Sequence, residues 1–155
     1  MNKICTSLEQ SKKLVELGID VNTADMCWTN HLFNAFLSSW RIESTPPQEY
    51  KNLLDRFVVR GYLIEPAWSL TALLKFIKSE IYGETIYGDT ITYKVDFRKY
   101  KLTDDVDLYQ IAYGSIKFDV DGQHSFKDMV NTGQKEDPID AAFQMVCWLK
   151  ENKKL

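Results

Sequence analysis

Two stretches of alternating apolar and polar residues constrain the fold of this chain more than any other feature of its sequence. The first runs from Ile91 to Arg98, and the second places its apolar residues on odd numbers from Tyr109 to Tyr113. After Gly114 the apolar residues fall on even numbers instead. A period of two is the pattern of a half-buried antiparallel strand. The change of phase predicts a β-bulge in which Gly114 takes a left-handed backbone conformation.

The residues after the second stretch predict that the sheet continues. Asp121-Gly122 is a strong signal for a two-residue hairpin turn, and a further strand is expected through His124 and Phe126. We therefore expect an antiparallel β-meander of about three to four strands.

The last nineteen residues read as one complete helix. Asp137 is suited to cap it, Pro138 fits the first helical position, and Asp140 lies at the positive end of the helix dipole. The predicted buried stripe consists of Ile139, Ala142, Phe143, Val146, Cys147 and Leu149. This helix closes the domain.

Several helical signals precede the meander. A capping box with Thr6 as cap and Glu9 reaching back predicts a helix from Ser7 to Leu17, with Gly18 just past its end. Apolar spacing predicts a second helix over residues 50–58, and Ser69 is expected to cap a third that ends near Gly83.

The segment between the first two helices is harder to interpret. A short strand with Met26 and Trp28 pointing inward is expected over residues 24–30, and the spacing of residues 32–40 fits a helix that contains weak helix formers. The whole order predicts a single α+β domain of residues 1–155, with helices packed mainly on one face of the sheet.

Composition excludes several classes of protein. A net charge of −3 is not that of a protein that wraps nucleic acid. Three cysteines far apart and two histidines do not predict a disulfide framework, a metal site or a cofactor. The sequence shows neither a signal peptide nor an apolar run long enough to span a membrane. These features favour a reduced cytoplasmic protein.

Candidate catalytic residues are few. A nucleophile–histidine site needs His31 or His124, and Cys27 and Cys147 are the cysteines considered as nucleophiles. Buried cysteine more often serves as a small hydrophobic residue. Asp119 and Asp121, followed by Gly122, have the residue types of a calcium loop, but not its spacing of glycine and glutamate. An enzymatic function is therefore not indicated.

Two groups of residues are candidates for binding. Trp28, Phe33 and Trp40 are typical either of an aromatic partner surface or of an ordinary core. The other group is basic, and with Tyr100 it fits a ribbon for single-stranded nucleic acid or a solvated sheet face. Its members are Lys94, Arg98, Lys99, Lys101 and Lys117.

Three segments carry a resemblance to a known family. They are Pro66-Ala67-Trp68-Ser69-Leu70, Asp137-Pro138-Ile139-Asp140-Ala141-Ala142-Phe143 and Thr6-Ser7-Leu8-Glu9-Gln10-Ser11-Lys12-Lys13-Leu14. In these segments the chain resembles a family of small uncharacterised proteins encoded in gut-bacterial genomes, often in prophage-like regions. The resemblance implies a bacterial, intracellular accessory protein, and it brings no activity and no site residue with it.

The leading hypothesis is a non-enzymatic protein-interaction or accessory domain of a mobile element, which acts on an unidentified protein partner or by self-association. One alternative is a small-molecule-binding or hydrolytic domain with a cleft between helices and sheet. The other is a single-stranded nucleic-acid-binding accessory protein that uses the basic ribbon.

Overall fold

The computed structural model describes residues 3–31, 40–44, 62–84, 87, 89–118 and 124–155. Within these ranges it shows an α+β fold with antiparallel strands and a closing helix, as the sequence predicts, but the strands form two sheets rather than one meander. The elements are α1 (Leu8–Glu16), a 3-10 helix (Val21–Thr23), β1 (Met26–His31), β2 (Arg41–Ser44), β3 (Tyr62–Ala67), α2 (Leu70–Leu74), β4 (Glu80–Glu84), β5 (Thr90–Thr103), β6 (Val106–Phe118), β7 (His124–Asn131) and α3 (Pro138–Glu151).

The chain divides into two compact units, Met1–Leu74 and Lys75–Leu155. The first contains the sheet with strand order β2-β1-β3, and the second contains the sheet with order β4-β5-β6-β7. That residues 1–155 form a single domain stays a prediction. The expected helix over residues 50–58 lies outside the described residues, as do the segment 32–39 and the turn Asp121-Gly122.

The central strand of the first unit buries the opposite face from the one predicted. Cys27 and Thr29 are buried, whereas Met26 and Trp28 are only half-buried. The Trp28 indole N–H donates to the backbone oxygen of Thr6 at 3.0 Å. An indole needs such an acceptor, which it finds at the rim of the core, while the smaller cysteine and threonine fit the tight interior.

The first helix begins one residue later than its capping signal suggests. Ser7, not Thr6, is the cap: its hydroxyl accepts from the N–H of Gln10 at 3.3 Å, and its own N–H donates to the Gln10 side chain at 2.9 Å. Thr6 is fully buried, so its hydroxyl is used in the interior instead. Gly18 follows the helix with a φ of 75°, the left-handed position expected there.

A buried network fixes the Trp68 segment. The backbone N–H of Trp68 donates to the Thr6 hydroxyl at 3.1 Å, and its indole N–H donates to Thr23 at 3.0 Å. Ser69 donates from backbone and side chain to the two carboxylate oxygens of Asp25. The Ser69 hydroxyl also accepts from the N–H of Ala72, as a helix cap does.

Helix α2 is shorter than predicted. It ends at Leu74 rather than near Gly83, because residues 80–84 form strand β4. The strand β3 that precedes it was not predicted. Pro66 lies in it without disrupting the sheet, since β3 is an edge strand within the described part of the sheet and one side of its backbone needs no ladder partner.

In the second unit, helix α3 packs on β6. Asp137 caps it as predicted, accepting from the N–H of Ile139 at 2.9 Å. Phe143 and Cys147 of the predicted stripe are only half-buried, and Ala141 and Met145 are buried in their place. Tyr113 of β6 is fully buried, and its hydroxyl donates to the backbone oxygen of Lys78 at 2.5 Å.

The predicted bulge lies at the expected place but in the neighbouring strand. Tyr113 pairs with Val130 and Gly114 pairs with Asp128, so the extra residue is Met129 of β7. Gly114 does not have a positive φ; among the glycines described, Gly18 and Gly133 do. The expectation of a left-handed Gly114 is therefore wrong, because the phase of one strand cannot show which partner carries the extra residue.

Candidate interaction surface on the β5–β6 hairpin

Strands β5 and β6 are much longer than the strands beside them. β4 pairs with β5 only from Thr90 to Lys94, and β7 pairs with β6 only from Ala112 onward. Pairing between β5 and β6 continues to Thr103 and Val106. We call the hairpin arm the part of this pair that extends past its neighbours, residues 97–111. A two-stranded ribbon of this kind has two edges. The backbone N–H and C=O groups along each edge either pair with another segment or remain available to a partner strand.

The edge of the arm on the β6 side is covered. Tyr109 and Lys135 exchange backbone hydrogen bonds of 2.7 and 2.9 Å. The N–H of Ile111 donates to the Thr132 hydroxyl at 3.0 Å, and the N–H of Thr132 donates back to the Ile111 oxygen at 3.0 Å. The segment that leads into helix α3 thus pairs with this edge at Tyr109 and Ile111.

Among the described residues, nothing covers the edge on the β5 side. The N–H of Val95 donates to the backbone oxygen of Ser79 at 2.9 Å, which fixes the direction of its peptide groups toward β4. Since every second residue of an antiparallel strand points its peptide groups the same way, those of Phe97, Lys99 and Lys101 point outward too. In the part of the chain that the structure describes, no strand pairs with this stretch.

Apolar side chains accompany the open edge. The side chain of Phe97 is 54% exposed and that of Leu102 is 64% exposed. Phe97 continues the apolar face predicted from the alternation, and its neighbour across the ladder, Ile111, is buried. The alternation indicates which face of the sheet Phe97 lies on. It does not indicate that Phe97 is exposed, because the exposure depends on where the neighbouring strand β4 ends.

The other face of the arm carries a closed polar cluster around Arg98. Its guanidinium donates to both carboxylate oxygens of Asp128, at 3.1 and 2.7 Å, and to Asp96 at 2.7 Å. Gln110 accepts from Arg98 at 3.3 Å and from the hydroxyl of Tyr100 at 3.1 Å. Hydrogen bonds from Arg98 hold the pKa of Asp128 below its usual value.

The register explains how this cluster crosses β6. Arg98 stands opposite Gln110, and Asp128 stands opposite Gly114, so the pair passes over the position of Ala112 between them. Ala112 is fully buried. Because Ala112 and Gly114 are small, they leave room for the Arg98 guanidinium to lie against the sheet.

The predicted basic ribbon is divided between two faces. Successive residues of a strand point to opposite sides, so Lys94 and Arg98 lie on one face of β5, and Lys99 and Lys101 lie on the other. Lys117 pairs with Ser125 through the backbone of β6, and its side chain lies outside the described residues.

Each of these cations with a described side chain has a carboxylate nearby. Lys94 lies 3.7 Å from Glu80, and Lys101 lies 4.0 Å from Asp104. Lys99 lies 2.8 Å from Asp107 and 5.7 Å from the centre of the Tyr109 ring. The pKa of Lys99 is raised, first by its hydrogen bond to Asp107.

The two members of the predicted aromatic group that the structure describes are half-buried rather than fully exposed. Trp28 is half-buried with its indole bonded to Thr6, and Trp40 is half-buried just before β2. Phe33 lies outside the described residues. Their role as a partner surface stays a prediction.

The cysteines and histidines offer little described chemistry. Cys5 is buried, and its pKa is raised to about 11, first by burial and then by the charges of Asp25 and Cys27. A thiol so shifted is protonated at neutral pH and is a poor nucleophile. His31 lies in β1 and His124 lies in β7, and the structure describes only their backbone.

Within the described ranges, no three side chains of His, Cys, Asp or Glu are close enough together to hold a metal ion. Nor does any helix there have the length and apolar character needed to cross a membrane. Comparison with known proteins finds no matching family model, no matching curated protein and no matching solved structure.

Proposed function

We propose that this chain is a non-enzymatic protein-interaction domain that binds a protein partner through the hairpin arm. The observation that carries the proposal is the open β5 edge, where outward peptide groups lie beside the exposed Phe97 and Leu102. A partner strand on this edge gains backbone hydrogen bonds, and apolar side chains give it area to bury. Both contributions are local to the arm.

The resemblance of the Pro66–Leu70 and Asp137–Phe143 segments to prophage-like proteins supports a place among the accessory proteins of a mobile element. The closed Arg98 cluster supports the same proposal, because it holds the arm in one conformation before a partner arrives.

Site-specific photocrosslinking tests the proposal. p-Benzoylphenylalanine is placed at Phe97, at Leu102 and, as a matched control, at Tyr82, which is 60% exposed on β4 but lies outside the arm. In cells that express the chain, we expect the first two positions to capture the same protein and the control position to miss it. Phe97→Asp should abolish the capture at position 102.

The opposite pattern is equally informative. If all three positions capture the same mixture of proteins, or if Phe97→Asp leaves the capture at position 102 unchanged, the arm is not the interaction surface. Crosslinks to nucleic acid in place of protein would also contradict the proposal.

A further inference from the structure

The charges beside the open edge of β5 are unequally distributed. Arg98, Lys99 and Lys101 lie within four consecutive residues of β5, with exposed ammonium groups on the two lysines. The carboxylates of the arm belong instead to the turn and to β6, at Asp104, Asp105 and Asp107. A partner strand added at the open edge would therefore lie closer to these cations than to the carboxylates.

Distances within a sheet determine which charged side chains an added strand would contact. Directly opposite residues on adjacent strands have Cβ atoms about 4.5–5.5 Å apart. A strand added outside β5 would lie about two strand spacings, close to 10 Å, from β6. Its side chains would contact Lys99 and Lys101 directly, whereas Asp107 would lie beyond them.

A second copy of this chain is a poor match for the edge. Two copies of β5 pair symmetrically only around an axis perpendicular to the sheet, which sets residues of equal parity opposite each other. Centred on Arg98, Lys99 or Lys101, such a pairing puts that residue opposite its own copy, and centred on Tyr100 it puts Lys99 opposite Lys101. Like charges directly opposite are destabilising, so these cations disfavour self-pairing as edge lysines do in other sheets.

We infer that the open β5 edge binds an extended acidic segment of a protein partner as an added antiparallel strand. From its N-terminal to its C-terminal end, the added strand would place acidic residues opposite Lys101 and then Lys99, and an apolar residue opposite Phe97. The partner would continue the line of β4 from the point where Ser79 ends its contact with β5. This inference rests on the proposed function and names the chemistry of the partner.

A labelled peptide tests the inference directly. The probe is fluorescein-Gly-Glu-Thr-Glu-Thr-Phe-Thr-Gly-amide, and its binding to the full chain is followed by fluorescence anisotropy at low salt. One control peptide has lysine in place of both glutamates, and the other carries N-methyl groups on the glutamate nitrogens. We expect the probe to bind about tenfold more tightly than either control, since two cross-strand charge pairs change sign or the ladder is blocked.

Three variants of the chain sharpen the test. Lys99→Glu with Lys101→Glu should reverse the preference and favour the lysine peptide. Lys99→Pro removes an outward N–H that does not bond to β6, so it should weaken binding while leaving the hairpin folded. Lys94→Glu changes a cation that lies beside β4, away from the open edge, and should leave the affinity within about twofold of the original.

Equal affinity for the glutamate and lysine peptides would overturn the inference, as would tighter binding of an oligothymidine or concentration-dependent dimerisation of the chain. If the crosslinks at Phe97 persist while the acidic peptide shows no preference, the arm binds protein by other chemistry. If both fail, the proposed function fails with the inference.

Discussion

At the scale of single residues, Thr6 is a polar group on which the first unit depends. It is fully buried, and its hydroxyl bonds to Ser11 at 2.8 Å and accepts from the backbone N–H of Trp68 at 3.1 Å. Thr6→Val keeps the shape but leaves that N–H without its acceptor. We expect it to lower the free energy of unfolding by about 1–3 kcal/mol.

Thr6→Ser is the matched control, because it keeps the hydroxyl and removes one methyl group. We expect it to cost about 0.8 kcal/mol, less than Thr6→Val. Urea denaturation of the two variants provides the comparison. A valine variant as stable as the serine variant would mean that burial of the methyl groups, not the hydrogen bonds, holds the Trp68 segment.

Two particular residues show why sequence reasoning misses such details. Thr6 and Ser7 are both good helix caps, and the choice between them depends on Trp68, which lies 62 residues away. Gly83 is close to the ring of Tyr93 on the next strand, where an added Cβ would come within 2.8 Å. Local signals carry no information about either contact, because both depend on how distant segments pair.

At the scale of elements, the Arg98–Asp128 pair makes stability depend on pH. The pKa of Asp128 is lower in the folded chain than in the unfolded chain, chiefly because Arg98 donates to its carboxylate. The stability that the Asp128 carboxylate contributes is therefore complete at pH values above its pKa in the unfolded chain, about 4. It is lost as the pH falls through the lower pKa of the folded chain. Acid should weaken the link between β5 and β7.

Asp128→Asn tests this dependence. At pH 7 we expect the variant to be less stable by about 1.5 kcal/mol, the lower end for hydrogen bonds to charged groups. The gap should narrow as the pH falls below 4, because the wild-type carboxyl then also loses its charge. Asp104→Asn is the control, since that exposed carboxylate lies 4.0 Å from Lys101 and should change stability little at any pH. A gap that stays constant down to pH 2 would contradict the expectation.

The sequence predicts β5, β6, β7 and α3 of the second unit, but it misses β4, which it places within a helix, and it predicts the strand lengths less well. Alternation locates β5 and β6, and a capped amphipathic pattern locates α3. Alternation cannot show that β4 ends opposite Lys94, and this end is what exposes Phe97 and opens the β5 edge. The candidate surface arises from unequal strand lengths, which depend on the pairing and not on any one strand.

At the scale of the whole molecule, the division into two units raises the question of whether each folds alone. The second unit, Lys75–Leu155, has a four-stranded sheet and a helix packed on it. Fully buried side chains occur in both layers, among them Tyr113 in β6 and Met145 in α3. An antiparallel sheet covered by a helix is a stable two-layer arrangement, so we expect the isolated fragment to unfold cooperatively with heat.

A core substitution distinguishes a native fragment from a loosely collapsed one. Ile139 is buried in α3, and Ile139→Val should cost about 0.5–1.5 kcal/mol. If the fragment has the native core, the cost should be the same in the fragment and in the full chain, measured by denaturant unfolding followed by circular dichroism. A fragment that is unfolded, or that does not respond to this substitution, would show that residues 1–155 fold as one domain, as the length of the sequence predicts. The hairpin arm would then depend on the whole chain for its stability, and peptide binding by the fragment should be lost together with its fold.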